Sequence, residues 1–200
     1  MSLVIVDTGC ANLSSVKFAF ERLDIDVFIS QNPSEIASAD KVLIPGVGAA
    51  PYAMQKIKDR GLFETLSRLT QPTLGICLGM QLLFETLTEG DVETTGLGLI
   101  PGRVGSLDTK GAPSPHMGWN ALNVTKTTPL LGGINEGDYA YFVHSYAVPL
   151  GDYTIASATY GERFSAIVQH KNVSGCQFHP ERSSAVGAKI LKNFAKGKSS

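Results

Sequence analysis

The sequence is poor in cysteine and almost neutral in charge, and both properties narrow the possible functions. Its three cysteines, Cys10, Cys77 and Cys176, are odd in number and show no C-x-x-C spacing. This argues against a disulfide framework and a zinc site, so we expect no metal or other cofactor and treat Cys10 and Cys176 as packing residues. Seventeen basic and eighteen acidic residues give a net charge of −1 without a dense basic stripe, so nucleic-acid binding is not expected.

Long apolar segments are also missing. No apolar run reaches the roughly 18 residues that a membrane-spanning helix needs. The amino-terminal segment MSLVIVDTG lacks a basic region followed by a long apolar stretch and a cleavage site, so we predict that it forms the first strand of a cytosolic protein. With 200 residues, of which 43% are hydrophobic, the chain is long enough for one domain, 1–200, with a sizeable core.

The segment QPTLGICLGMQ at 71–81 has the pattern of a nucleophile elbow. In such an elbow a strand runs into a tight turn and a helix starts at once, so one side chain projects above the sheet edge. Cys77 occupies that position, and Gly75 and Gly79 leave room for the strained backbone around it. A helix beginning at Leu78 would direct unpaired N–H groups toward the sulfur and make it a better nucleophile. The alternative is a buried cysteine that only fills space.

A thiol nucleophile needs an imidazole base that a third group orients. Among the four histidines we favour His179, because His179-Pro180-Glu181 follows an apolar strand predicted over Val173 to Phe178. Side chains two residues apart in an extended chain project to one side, so Glu181 can reach the ring, and Pro180 keeps the segment extended. The alternative is a surface turn with a solvated glutamate beside a histidine. The preferred interpretation is a triad of Cys77, His179 and Glu181.

Both motifs are unbroken, as G-x-C-x-G-x-Q at 75–81 and H-P-E at 179–181, and here the chain resembles the class I (triad) glutamine amidotransferases. More closely, it resembles one branch of that family, the glutaminase subunits of imidazole glycerol phosphate synthases. This closer likeness depends on five further segments: DTGCANL at 7–13, PGVGA at 45–49, HMGWN at 116–120, YFVHSYA at 141–147 and QFHPERS at 177–183. The likeness therefore spans nearly the whole chain.

The resemblance implies a glutaminase that hydrolyses L-glutamine and passes the ammonia to a partner in L-histidine biosynthesis. The implied partner is a cyclase subunit with a (β/α)8 barrel, bound as a heterodimer. Interface residues are expected on loops that the triad does not use, namely Asn12, Trp119, Asn120 and Arg182. Trp and Arg are enriched at interface hot spots, although a lone Trp can equally fill a core.

The loop Pro45-Gly46-Val47-Gly48 follows a strand predicted over Val42 to Ile44. Its two glycines permit a close backbone approach or a peptide flip, or they simply form a turn. The resemblance implies an oxyanion strand, in which the Gly46–Val47 peptide can turn the Val47 N–H toward the developing oxyanion and Leu78 supplies a second N–H donor. It also places seven residues around bound glutamine: Gly46, Gly48, Gln81, Glu89, His144, Ser145 and Tyr146.

Strand and helix signals alternate in the first half of the chain and predict an α/β fold. The expected architecture is a doubly wound, mostly parallel mixed sheet with helices on both faces, followed by a strand-rich second half. Helices are predicted from Asn12, over Tyr52–Lys58 and Leu62–Leu69, and after the elbow to about Leu87. Strands are predicted over Leu3–Val6, Val27–Ile29, Val42–Ile44, Thr73–Ile76, Arg103–Leu107, Ala121–Val124, Tyr139–Val143, Thr154–Thr159, Ser165–Gln169 and Val173–Phe178. Because the candidate residues follow strand ends, we expect them on one rim of the sheet.

Other functions stay open at this point. A free-standing thiol hydrolase of similar fold, such as a γ-glutamyl peptidase or a cysteine peptidase, would turn over at full rate without a partner. The amidotransferase subunit of another synthase would need a different acceptor. A binding module with an inert cysteine would resist labelling of Cys77 by a glutamine-mimicking electrophile.

Overall fold

A central mixed sheet organises the protein, whose computed structural model describes residues 2–197. The strands are β1 (Leu3–Val6), β2 (Phe28–Ser30), β3 (Lys41–Gly46), β4 (Thr73–Cys77), β5 (Phe84–Glu89), β6 (Val92–Thr95), β7 (Ile100–Ser106), β8 (His116–Ala121), β9 (Asn123–Val124), β10 (Tyr139–His144), β11 (Tyr146–Ala147), β12 (Thr154–Tyr160), β13 (Glu162–His170) and β14 (Val173–Cys176). The helices are α1 (Leu13–Glu21), α2 (Pro33–Ser38), α3 (Ala50–Asp59), α4 (Phe63–Leu66), α5 (Leu78–Leu82) and α6 (Ser184–Lys196). Residues 1 and 198–200 of the predicted domain lie outside the described residues.

The central sheet has the strand order β2-β1-β3-β4-β14-β13-β12-β9. The first five strands in that order run parallel, and the other three continue the sheet as antiparallel neighbours. Parallel strands bring their carboxyl ends to one edge, so Gly46 at the end of β3 lies in register with Cys77 at the end of β4. On the other side of β4, Cys176 of β14 pairs with Ile76, so the chain enters the His179 segment beside the elbow.

Apolar side chains cover both faces of this sheet. Leu3 and Ile5 of β1 pack in one buried cluster with side chains from α1 and α6, such as Phe20. Val4 and Val6, which point the opposite way because side chains alternate along a strand, pack in a second cluster with α3. This layering of helices on both faces fixes the sheet edge that carries the candidate site.

Two smaller sheets flank that edge. Strands β5, β6, β7 and β11 form a four-stranded sheet, and β8 and β10 form an antiparallel pair with His116 opposite His144. In this pair, alternation leaves one face outward. We call it the outer hairpin face, formed by Met117, Trp119, Tyr139 and Tyr141.

The predicted α/β fold, with its doubly wound, mostly parallel sheet and strand-rich second half, is confirmed. The predicted elbow helix to Leu87 is wrong beyond Leu82, because residues 84–89 form β5 instead. Phe84 and Leu87 are buried while Glu85 is exposed, and the segment pairs with strands on both sides, which a helix could not do.

Several other boundaries also differ from the predictions. Trp119 and Asn120 lie in β8 and not on a loop, because residues 116–121 pair along their whole length with β10. The helix predicted over Leu62–Leu69 is the single turn α4, and α2 and β6 were not predicted. Within residues 2–197, no helix is long and apolar enough to cross a membrane.

Candidate active site

Cys77 lies at the junction of β4 and α5 and has the strained backbone conformation of a nucleophile elbow. Its φ of 54° and ψ of −114° lie outside the usual regions for a residue with a side chain. A Cβ on Gly79 would lie 1.8 Å from the Ile44 carbonyl oxygen, and one on Gly75 would lie 2.6 Å from the Met80 Cα. Both glycines are therefore needed for the turn to pack against β3 and α5, as predicted.

His179 and Glu181 meet beside Cys77. The Nδ1 atom of His179 is 2.8 Å from a carboxylate oxygen of Glu181, and the two side chains are 14% and 6% exposed. Burial by itself would lower the pKa of His179, but hydrogen bonding and charge interactions with Cys77 and Glu181 raise it to about 10. With this raised pKa the imidazole is protonated near neutral pH, between Cys77 and Glu181.

Backbone and hydroxyl contacts pin the His179 segment to the neighbouring strand β10. The His179 N–H donates to the Tyr141 carbonyl at 3.0 Å. The Ser183 hydroxyl donates to the His179 carbonyl at 2.7 Å and accepts the Tyr141 N–H at 2.9 Å. These three contacts fix the backbone of His179 relative to β10.

The peptide predicted to serve the oxyanion points elsewhere in this structure. The Val47 N–H donates to the Cys10 carbonyl at 2.8 Å. Gly46, in register with Cys77, leaves no room for a side chain, since a Cβ there would lie 2.7 Å from the Gly79 nitrogen. Gly48 has a φ of +91° and open space around it. The Leu78 N–H belongs to the first turn of α5, where backbone donors lack intrahelical acceptors.

A cavity of about 180 Å³, which we call the elbow cavity, opens directly over Cys77. Six of the seven residues predicted to surround the substrate line it, and Gly46 lines a neighbouring cavity instead. The lining consists of Val47, Gly48, Cys77, Leu78, Gln81, Glu89, Val143, His144, Ser145, Tyr146 and His179. Within residues 2–197, no cluster of three or more His, Cys, Asp or Glu side chains could hold a metal ion.

The sequence pattern of the family described as glutamine amidotransferase class-I matches residues 4–197. The chain belongs to the class I glutamine amidotransferase family. It is similar to the imidazole glycerol phosphate synthase subunit HisH of Colwellia psychrerythraea (strain 34H / ATCC BAA-681), with 53% identity, 96% of this chain and 91% of the relative covered. A relative of the same name from Shewanella sediminis (strain HAW-EB3) is also 53% identical, with 96% and 89% covered.

Solved structures of low sequence identity share the fold. The glutaminase domain of Trypanosoma brucei CTPS with bound acivicin superposes with a TM-score of 0.62 at 14% identity, covering 99% of this chain and 95% of that one. A glutamine amidotransferase from Thermotoga maritima also gives a TM-score of 0.62, at 13% identity, with 97% and 82% covered. These likenesses bear on architecture alone.

In this amidotransferase, two elbow-cavity residues predicted from the sequence are bound firmly to the protein. The Gln81 amide donates to the Tyr146 carbonyl and to the Gln177 side chain, both at 3.0 Å, and its side chain is buried. Glu89 accepts the N–H of Ala50 at 2.8 Å, the first residue of α3. Glu89 thus ties the end of the 45–49 segment to the cavity instead of lying free in solvent.

A second cavity of about 310 Å³ adjoins the first. It shares Val47, Val143 and His179 with the elbow cavity, and it extends toward Asn12 and Arg182. Two of the four predicted interface residues therefore line a space that also contacts the triad.

The other two predicted interface residues, Trp119 and Asn120, differ in environment. Trp119 is 52% exposed on the outer hairpin face, beside Met117 and Tyr139, which are 63% and 58% exposed. Trp119 therefore does not fill the core. The Asn120 amide donates to the Thr159 carbonyl at 2.8 Å within the chain.

Sequence reasoning missed three participants in the site. Val143 places its carbonyl oxygen 3.8 Å from the Cys77 sulfur, Gln177 binds Gln81, and the buried His116 contacts His144 at 3.0 Å. The alternation of side chains along residues 116–119 could have predicted that the His116 ring points inward. The other two contacts join distant segments, and no local pattern encodes them.

Proposed function

We propose that this amidotransferase is the glutaminase subunit of an imidazole glycerol phosphate synthase. In this proposal it hydrolyses L-glutamine to glutamate and ammonia and supplies the ammonia to a cyclase subunit in L-histidine biosynthesis. The arrangement that carries the proposal places Cys77 and His179 in the lining of the elbow cavity and Glu181 in contact with His179. The family membership and the likeness to HisH subunits over 96% of the chain support the same choice of acceptor.

The geometry supports a two-stage reaction at Cys77. The thiolate adds to the carboxamide carbon of glutamine, and the His179 imidazolium gives its proton to the departing ammonia, leaving a γ-glutamyl thioester. Neutral His179 then takes a proton from water, whose hydroxyl attacks the thioester carbon. Glutamate leaves, and the thiolate and imidazolium are restored. Glu181 holds the ring and stabilises its charged form throughout.

The positions of the oxyanion donors lead us to expect slow glutamine hydrolysis by the isolated subunit. With the Val47 N–H bound to the Cys10 carbonyl, Leu78 is left as the donor at the elbow. One oxyanion donor contributes roughly 10² to 10³ in turnover. We propose that nucleotide bound in the cyclase favours a turned Gly46–Val47 peptide, in which the Val47 N–H leaves Cys10 and faces the oxyanion.

The second cavity and the outer hairpin face supply the proposed contact with the cyclase. The cavity gives neutral ammonia a route from His179 toward Asn12 and Arg182. The exposed aromatic and sulfur-containing side chains of the outer hairpin face, including Trp119, match the composition of interface cores. A barrel mouth docked over both would exclude water from the route.

Three rates of glutamine hydrolysis test the proposal: the chain alone, with the cyclase, and with the cyclase plus its nucleotide ligand. We expect a slow first rate and a strong stimulation by the ligand. Equal rates in all three would refute the coupling and favour a free-standing hydrolase. A complex that makes product from added ammonium salt but not from glutamine would refute the glutaminase assignment itself.

A further inference from the structure

His116 is a buried polar residue that the proposed reaction does not use. Its side chain points inward from β8 and is 2% exposed, whereas the neighbouring Met117 is exposed. The imidazole is stacked between two aromatic rings, with centroids 4.1 Å from Tyr160 and 5.0 Å from Phe142 and planes tilted by 19° and 23°. A polar ring in such a place needs buried hydrogen-bond partners.

These partners form a hydrogen-bonded chain that runs from the buried histidine pair to an exposed contact of Asn120. The Nδ1 atom of His116 is 3.0 Å from Nε2 of His144, whose own Nδ1 is 2.8 Å from the Tyr146 carbonyl oxygen. At the other end, the Asn120 amide nitrogen is 3.4 Å from Nε2 of His116 and donates to the Thr159 carbonyl. The chain therefore runs between two backbone carbonyl groups.

The two carbonyls permit one arrangement of hydrogens. The Tyr146 oxygen only accepts, so His144 donates from Nδ1, and at the other end the Asn120 amide nitrogen only donates, so His116 accepts at Nε2. His116 then donates from Nδ1 and accepts the second hydrogen of the Asn120 amide at Nε2. Turning that amide over would break its bonds to two backbone groups. Both rings are thus neutral, in agreement with burial, which lowers the pKa of each to about 4.

The Tyr146 carbonyl is a fixed point in the wall of the elbow cavity. It accepts hydrogen bonds from His144 and, at 3.0 Å, from Gln81, whose side chains are both buried. Ser145 lies between His144 and Tyr146, lines the same cavity, and its carbonyl accepts the Leu107 N–H at 3.0 Å. Side chains and backbone groups of the interior therefore set the position of residues 145–146.

We propose that His116 is a positioning residue for glutamine, acting through His144 to hold residues 145–146 in the wall of the elbow cavity. The inference rests on the proposed glutaminase function. Both ring nitrogens of His144 are used within the chain, so His144 serves the substrate through the Tyr146 carbonyl and not as a direct ligand. Loss of the His116 donor frees the His144 ring and loosens the wall, while the triad keeps its own contacts.

Two substitutions of His116 separate hydrogen bonding from packing. His116→Asn keeps a donor near the Nδ1 position but removes the stacked ring, whereas His116→Phe keeps a ring and removes the donor. We expect His116→Asn to keep the KM for glutamine within about threefold of the parent value. His116→Phe should raise the KM by about tenfold to a hundredfold, because it leaves the buried Nε2 acceptor of His144 without a donor. A packing role predicts the opposite order.

The measurements are made on the complex with the cyclase and its nucleotide ligand. In His116→Phe we expect kcat and the alkylation rate of Cys77 by iodoacetamide, followed by peptide mass spectrometry, to stay near the parent values. Parent-like KM in both variants, or a higher KM in His116→Asn than in His116→Phe, would overturn the inference.

A spectroscopic measurement on the parent keeps the inference testable even if a variant fails to fold. Ring carbon and nitrogen shifts should report Nδ1–H tautomers for both His116 and His144 near neutral pH, and an Nε2–H tautomer in either ring would overturn the inference. Absence of glutamine hydrolysis by the parent complex would instead refute the proposed function.

Discussion

Glu181 places a carboxylate oxygen 2.8 Å from the Nδ1 atom of His179, with only 6% of its side chain exposed. Its other oxygen has no hydrogen-bond partner among residues 2–197, so the charge of Glu181 acts mainly on the imidazole. Glu181→Gln removes the charge but keeps an oxygen that can accept from Nδ1. A hydrogen bond to a charged group contributes about 1.5 to 3 kcal/mol, which corresponds to about one to two pKa units. The pKa of His179, raised to about 10 in the parent, should fall by that amount.

The pH dependence of kcat/KM for glutamine measures this change. Because ammonia must leave with a proton from the imidazolium, activity should fall on the alkaline side as His179 loses its proton. We expect this alkaline limb to move down by about one to two pH units in Glu181→Gln, with activity near neutral pH reduced but measurable, since the nucleophile remains.

A matched substitution controls for the loss of a negative charge in general. Glu64→Gln removes an exposed carboxylate on α4 that pairs with Arg68, and it should leave the alkaline limb where it is. An unchanged limb in Glu181→Gln would refute the assignment of the His179 charge to Glu181. Equal displacement in both variants would refute it too, because the effect would then come from net charge.

Three further outcomes are expected. Cys77→Ala should lower glutamine hydrolysis by about 10⁴-fold or more while the cyclase complex still works with added ammonium salt; glutaminase activity within about tenfold of the parent would contradict the nucleophile assignment. Trp119→Ala should weaken cyclase binding by about tenfold or more with little change in thermal unfolding, because Trp119 is 52% exposed; unchanged affinity in a titration would exclude this face. In the folded protein the pKa values of His116 and His144 are lowered from 6.5 to about 4. Between these two pH values the unfolded chain therefore binds more protons than the folded one. The free energy of unfolding should fall as the pH drops from 6.5 toward 4. His116→Asn should reduce this slope in denaturant titrations, and equal slopes would show that the pair does not titrate as described.

The elbow at Cys77 and the contact between His179 and Glu181 could be predicted from the sequence because each lies within a short segment. Glycines stand two positions before and after Cys77, so the pattern of an elbow lies in one short segment, although Gly79 is needed because of the close approach of Ile44 in β3. The conformation at Cys77, with φ at 54°, belongs to the same segment. The predicted extended stretch at 179–181 is wrong, because residues 180–182 form one turn of 3-10 helix. His179 and Glu181 are still only two residues apart, so their contact needs no distant element. The alternation of strand and helix patterns likewise predicted the parallel half of the sheet, because the hydrophobic periodicity of each element is a local property of the sequence.

The other features of the fold and the site depend on contacts between segments that are distant in the sequence. Whether residues 84–89 extend the elbow helix or form β5 was decided by pairing with β7, a non-local contact that overrides helical periodicity. The Val47 N–H donates to the Cys10 carbonyl, a bond between two separate loops that the 45–48 sequence alone does not specify. The two neutral histidines, 28 residues apart, meet because β8 and β10 pair in one register. A shift of β8 by one residue would turn the His116 ring out to solvent and break its contact with His144. The sequence therefore supplies the residues of the site, and the pairing of strands decides which of them meet.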